Sequence, residues 1–198
     1  MIRDWTTWQL GGGDAFDQLK RVVQCLSSSP DAPLEIGELR PLNVNDARDY
    51  PTLVMPYGQQ VPVVHASAGI RRIIALAYLL VWAWREHLTA CELTNTSPAK
   101  RIIFLIDEIE AHLHPRWQRT VLAALLGVMD TLTGNDGVQS QLLAVTHSPL
   151  ILASAETHFN PEQDGIWAFE QVGSNVTFEQ CSWLRRVDTG NWLAFLGA

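Results

Sequence analysis

Lysine is nearly absent: Lys20 and Lys100 are the two in 198 residues, and the net charge is −7. Such a chain offers no broad basic surface to a phosphate backbone, so any DNA contact must come from parts outside it. Cysteine is scarce as well. Cys25, Cys91 and Cys181 stand far apart without a C-x-x-C pair, which argues against a disulfide framework and fits a reduced, cytoplasmic setting. Long apolar runs are missing too. The longest, "IIALAYLLVWAW" from Ile73 to Trp84, falls well short of the roughly 20 residues a membrane span needs. The opening "MIRDWTTWQL" lacks the apolar centre of a signal peptide. The expectation is a chain with no membrane contact.

What is present is a globular composition, 47% hydrophobic, enough for one ordinary core. Asp14 precedes Phe16, Leu19, Val22, Val23 and Leu26 at helical spacing, predicting one amphipathic helix that opens the chain and stops at "SSSPDAP". After a proline-rich connection, "PTLVMPYGQQVPVV" reads as an edge hairpin turning at Tyr57-Gly58. Ser67 sits where a helix N-cap belongs, and Ile70, Ile73, Ile74, Ala77, Val81 and Trp84 follow on one face down to "REH". "LTACELTNTSPAK" has the composition of a loop. The β-branched run "RIIFLI" then reads as a strand covered on both faces, with Asp107 and Glu108 at its carboxyl end. Pro115 opens a helix with a Trp117, Val121, Leu125 and Val128 stripe, and "QLLAVT" is a second buried strand. Ser148 and Pro149 begin another helix, leaving His147 between strand and helix. A hairpin around Gly173-Ser174 and a helix start in "DTGNWLAFLGA" complete the chain.

Strand, helix and strand in this order imply a right-handed crossover and a parallel pair. Ligands of such sheets bind beyond the carboxyl ends of the strands, where Asp107, Glu108 and His147 collect. One carboxylate there can hold Mg²⁺ through water and the other can orient a nucleophilic water, although a strand simply reaching solvent looks the same in isolation. A neutral imidazole beside a phosphate can donate one hydrogen bond and accept another. The helix start "HASAGIRR" offers unpaired N–H groups and a partial positive charge of about half a unit. Its bland reading is a capped helix with Gly69 for close packing, and Arg71 and Arg72 read as a solvated basic pair.

Taken in order, "ASAGIRRIIALAYLL", "IIFLIDEIEAHLHP" and "LLAVTHSPLIL" resemble the C-terminal half of an ABC-type ATPase head domain, in the RecF, SMC and OLD-like branch often catalogued as AAA-type core ATPases. The resemblance runs from about Thr52 to the end, and the ordered set of three is specific where each motif alone is not. It implies an α/β fold: a partial P-loop NTPase sheet of the ABC type, its parallel Walker B and switch-histidine strands flanked by helices, with edge hairpins. Residues 1–50 would form an N-terminal helix and connecting segment, and 51–198 the back half of the head. By the resemblance, Ser67, Ala68 and Gly69 match the signature motif that reaches the ATP of a partner subunit. Asp107 matches the Mg²⁺ aspartate, Glu108 the catalytic glutamate and His147 the switch histidine. "EAHLHP" occupies the D-loop, with His114 where transporters carry aspartate. The implied activity is ATP hydrolysis with ATP and Mg²⁺, in a homodimer of heads that sandwiches nucleotide.

Two departures stand out. Ala68 and Ile70 replace the glycine and polar residue usual in the transporter signature. More important, G-x-x-x-x-G-K-[ST] occurs nowhere; "GGGDAF" has glycines but neither lysine nor hydroxyl. The phosphate-cradling loop is therefore expected from a segment upstream. Two other readings stay open: a metal-dependent hydrolase using Asp107, His112, His114 and His147, and a non-catalytic interaction module with sticky apolar surface.

Overall fold

The computed structural model describes residues 1–29, 31, 33–133 and 137–181; the helix start expected in 188–198 lies outside them. Two helices open the chain rather than one, α1 (Ile2–Gly11) and α2 (Asp14–Cys25). Gly12 and Gly13 separate them at φ 64° and 100°, a backbone that glycine adopts without steric cost. The apolar signal of α1 is thin, Trp5 and Trp8 set among threonines. It is nonetheless anchored: Trp5 is fully buried, Trp8 stacks on Tyr78 with ring centroids 5.6 Å apart, and the Tyr78 hydroxyl donates to the Asp4 carboxylate.

Five short strands follow: β1 (Glu35–Ile36), β2 (Arg40–Pro41), β3 (Asp49–Tyr50), β4 (Thr52–Val54) and β5 (Gln60–Pro62). The expected hairpin is β4–β5, turning at Gly58 with φ 81°. β1 adds to it antiparallel, while β2 and β3 pair with each other. A single 3₁₀ turn, Val63–His65, leads into α3 (Ala68–Thr94).

Ser67 caps α3, its side chain accepting from the Ile70 N–H at 3.3 Å. The helix passes through "LTACELT", read above as loop, and ends at Asn95 in the left-handed conformation (φ 53°). The loop composition belongs to residues 95–100 alone, because Cys91 still packs in the interior. Near that end His87 Nε2 accepts from the Ala99 N–H at 2.9 Å, fixing the entry to the next strand.

The remaining elements are β6 (Arg101–Ile106), α4 (Pro115–Gln118), α5 (Val121–Thr133), β7 (Gln139–Ala144), α6 (Pro149–Ala155), β8 (Trp167–Val172) and β9 (Asn175–Gln180). β6 and β7 are parallel, in register from Arg101↔Gln139 to Ile106↔Ala144. β8 and β9 form the hairpin around Gly173. Fully buried aliphatics fill the centre: Leu19, Val22 and Val23 of α2, Ile73, Ile74 and Val81 of α3, Leu125 and Val128 of α5, Ile151 of α6. Each such side chain contributes about 1.5–3 kcal/mol. The core runs continuously across residue 50, joining α2 to α3 and α5.

One expectation about β6 fails. Ile102, Phe104 and Ile106 are half-buried against the core, but Ile103 and Leu105 on the other face are 64% and 78% exposed. Among the described residues nothing covers that face, so the apolar run is sheathed on one side only.

Candidate functional site

The carboxyl ends of β6 and β7 finish level with each other. The Val145 N–H donates to the Ile106 carbonyl at 2.9 Å, and the Ile109 N–H returns to the Val145 carbonyl at 3.3 Å. The two loops beyond the strands therefore share one edge of the sheet. Asp107 and Glu108 leave β6 exposed, and neither carboxylate has a hydrogen bond or ion pair with a described residue. His147, also exposed, follows β7.

Glu110 joins the two loops. Its Oε1 accepts from the His147 N–H at 2.8 Å, and its Oε2 accepts from the Thr146 hydroxyl. Thr146 Oγ1 in turn accepts from the Ser148 N–H at 3.0 Å. The Ser148 hydroxyl donates to Gln118 Oε1 at 2.6 Å, and Gln118 Nε2 donates to the Leu113 carbonyl at 2.9 Å. Burial pushes the Glu110 carboxyl up, but the Thr146 and His147 hydrogen bonds and the His147 charge outweigh it, leaving it below the ordinary 4.5. Glu110 is the first residue of the "EAHLHP" loop and stands out little in the sequence. Its one signal was an acid between Ile109 and Ala111 in a stretch that folds inward.

The start of α3 closes on the same loop from the other side. The N–H groups of Ala68 and Gly69 lie in the unpaired first turn. A Cβ on Gly69 would come 2.8 Å from the His112 carbonyl oxygen, so close packing is what this glycine supplies. Arg72 is half-buried, and beyond its contact with solvent its Nη2 donates to the Glu108 carbonyl at 2.7 Å. Arg71 stays exposed. Glu108 and His112 have φ of 47° and 60°, so the loop bends through left-handed backbone at both places.

His114 caps α4, its Nδ1 accepting from the Arg116 N–H at 3.2 Å. Among the described residues no three His, Cys, Asp or Glu side chains gather closely enough to hold a metal ion. The four-residue hydrolase site of Asp107, His112, His114 and His147 is thus not assembled; His114 is turned into its own helix cap. A single open carboxylate at a strand end does suit Mg²⁺, which binds one or two carboxylates and completes its shell with water and phosphate oxygens. Asp107 fits that description.

Comparison with known proteins gives the family and the fold. The family model described as "AAA domain, putative AbiEii toxin, Type IV TA system" matches residues 14–153. A "Retron Vc95 probable ATPase" from Vibrio cholerae serotype O1 biovar El Tor is 32% identical over 101 residues, 51% of this chain and 18% of that protein. Septu protein PtuA of Bacillus mycoides (strain KBAB4) is 33% identical over 86 residues, 43% of this chain and 10% of its own length. The chain therefore aligns with less than a fifth of either curated relative. A chain solved in work on "ATP-driven dimerization and DNA stimulated activation of SMC ATPases" superposes with a TM-score of 0.52 at 14% identity, covering 96% of both chains. The α/β fold is that of an SMC-type ATPase head.

Proposed function

The chain belongs to this family of AAA domains, and from that premise we propose that it supplies the magnesium and water side of an ATP-hydrolysing site, with the phosphate loop coming from a segment outside this sequence. The observation that carries the proposal is the shared edge, where Asp107 and Glu108 follow β6, His147 follows β7, and Glu110 bonds one loop to the other.

Each residue has a distinct task. Asp107 would hold Mg²⁺ through water, and that ion would offset charge on the phosphates when bound. The unpaired carboxylate of Glu108 would orient and polarise the attacking water. His147, its backbone held by Glu110, would donate a hydrogen bond toward the terminal phosphate. Ser67, Ala68 and Gly69 present a hydroxyl and two N–H groups at a helix start, the chemistry that favours an anion; they would meet the nucleotide of a second copy in a homodimer of heads. His114 lies in the D-loop, at that same interface. Residues 51–198 would form the back half of the head, with 1–50 packed on it. Any DNA contact would come from other parts, and the working place would be the cytoplasm; no helix among the described residues is long and apolar enough to cross a membrane.

The test is hydrolysis by the protein assembled with its phosphate-loop segment. Glu108→Gln should abolish turnover and leave nucleotide binding intact; undiminished turnover rejects Glu108 as the base. A second reading, a non-catalytic module that pairs with intact heads, is favoured by the bare face at Ile103, Leu105, Leu143 and Val145. Tight Mg²⁺-dependent ATP binding by this chain alone would contradict the reading that the phosphate loop comes from outside it.

A further inference from the structure

We propose that Arg72 is the positioning residue for Glu108, holding its backbone so that the carboxylate faces the site from a fixed direction. The inference rests on the reading of Glu108 given above and adds the group that aims it.

Backbone conformation comes first. Glu108 has φ 47°, and among the described residues only Asn95 and His112 share positive φ without being glycine. Asn95 needs no special support, since it is the left-handed cap of α3. A glutamate is sterically disfavoured in that region, and such residues persist where their surroundings over-determine them.

The surroundings of Glu108 are few and specific. Its carbonyl accepts from the Ala111 N–H at 2.9 Å, closing a turn, and from Arg72 Nη2 at 2.7 Å. The next N–H, that of Ile109, is held by the Val145 carbonyl at 3.3 Å. Among the described residues Arg72 is the one side chain that bonds the Glu108 backbone. It comes from 36 positions away, so the contact is tertiary.

Arg72 also has no local reason to be where it is. A cation in the first turns of a helix opposes the helix dipole, and Arg72 has no carboxylate partner among the described ion pairs. One of its five N–H donors goes to the carbonyl of Glu108 itself, the second residue of the acidic pair. The planar guanidinium gives that bond a fixed direction which an ammonium on a flexible stem does not. Gly69, one helical turn earlier, lets the same helix lie against the His112 carbonyl. The loop carrying Glu108 is therefore gripped at two points by the helix that begins with Ser67.

Two measurements test this. In this chain, amide hydrogen exchange at Ile109 and Ala111 should quicken about tenfold in Arg72→Gln, less in Arg72→Lys, with Phe104 unchanged. In the hydrolysing assembly, Arg72→Gln should lower kcat by about 10- to 100-fold with KM for ATP unchanged, the signature of a displaced catalytic group. Arg72→Lys should recover part of the loss, and thermal midpoints of both variants report folding. Unchanged exchange, or unchanged kcat in a folded Arg72→Gln protein, overturns the inference. Full turnover in Glu108→Gln would instead overturn the reading it rests on, and the exchange result would still show whether Arg72 holds the loop.

Discussion

The two faces of β6 carry the same kind of residue and meet opposite fates. Ile102, Phe104 and Ile106 pack against the core, whereas Ile103 and Leu105 stand in the open, continued by Leu143 of β7 and Val145 just after it. A β-branched run states how much cover a strand needs, not which part of a protein provides it. The covered face is self-sufficient. The bare one has no cover among the described residues.

The largest way to break that contrast is on the covered side. Ile74 of α3 is fully buried, and Ile74→Ala should cost about 2–5 kcal/mol through lost transfer energy and a residual cavity. Chemical denaturation measures it, and a loss below 1 kcal/mol would mean the core is loosely packed. Next in size is the clamp between the strand ends. Glu110→Gln should cost about 1.5–3 kcal/mol by weakening charged hydrogen bonds. Because the Glu110 pKa is depressed in the fold, its contribution is present above the ordinary 4.5 and disappears as pH falls through the lower folded value. The variant should therefore show a shallower acid loss; an identical acid profile would remove Glu110 from the stability balance.

A smaller effect is expected at Tyr78. Burial, then the hydrogen bond to Asp4, pushes its hydroxyl up to about 12. A raised folded pKa gives stability that is full below the ordinary 10 and is lost as pH rises toward 12. Tyr78→Phe should cost about 1 kcal/mol at neutral pH and flatten the alkaline decline, readable from thermal midpoints against pH. The smallest effect belongs to the bare face. Leu105→Lys should change stability by less than about 0.5 kcal/mol while reducing self-association in light scattering. A cost equal to that at Ile74 would show the face to be covered after all.

The features legible in the sequence were local. Ser67 and Ser148 as caps, Pro149 at a first turn and the Gly58 and Gly173 turns each follow from neighbours a few positions apart, and the parallel β6–β7 pair follows from the strand–helix–strand order. The meeting of the Asp107 and His147 loops at one edge followed from topology. What escaped depends on distant contacts. Arg72 finds Glu108 across 36 residues and Glu110 finds His147 across 37, so a basic pair and a loop acid gave no sign of their partners. α1 escaped because two tryptophans among threonines form a weak pattern until Tyr78 and Asp4 give them somewhere to dock.

α3 holds the segments that flank β6 on both sides. Its first turns bear on the loop leaving the strand, through Gly69 and Arg72, and near its far end His87 secures the residue that enters it. Of its 27 residues, the stretch from Arg72 to His87 spans about 22 Å, close to the length of a six-residue strand with its flanking residues. The two bonds fix the span between the strand's entry and the Glu108 carbonyl, so one residue inserted between Arg72 and His87, turning the helix by about 100°, would put one of them out of reach.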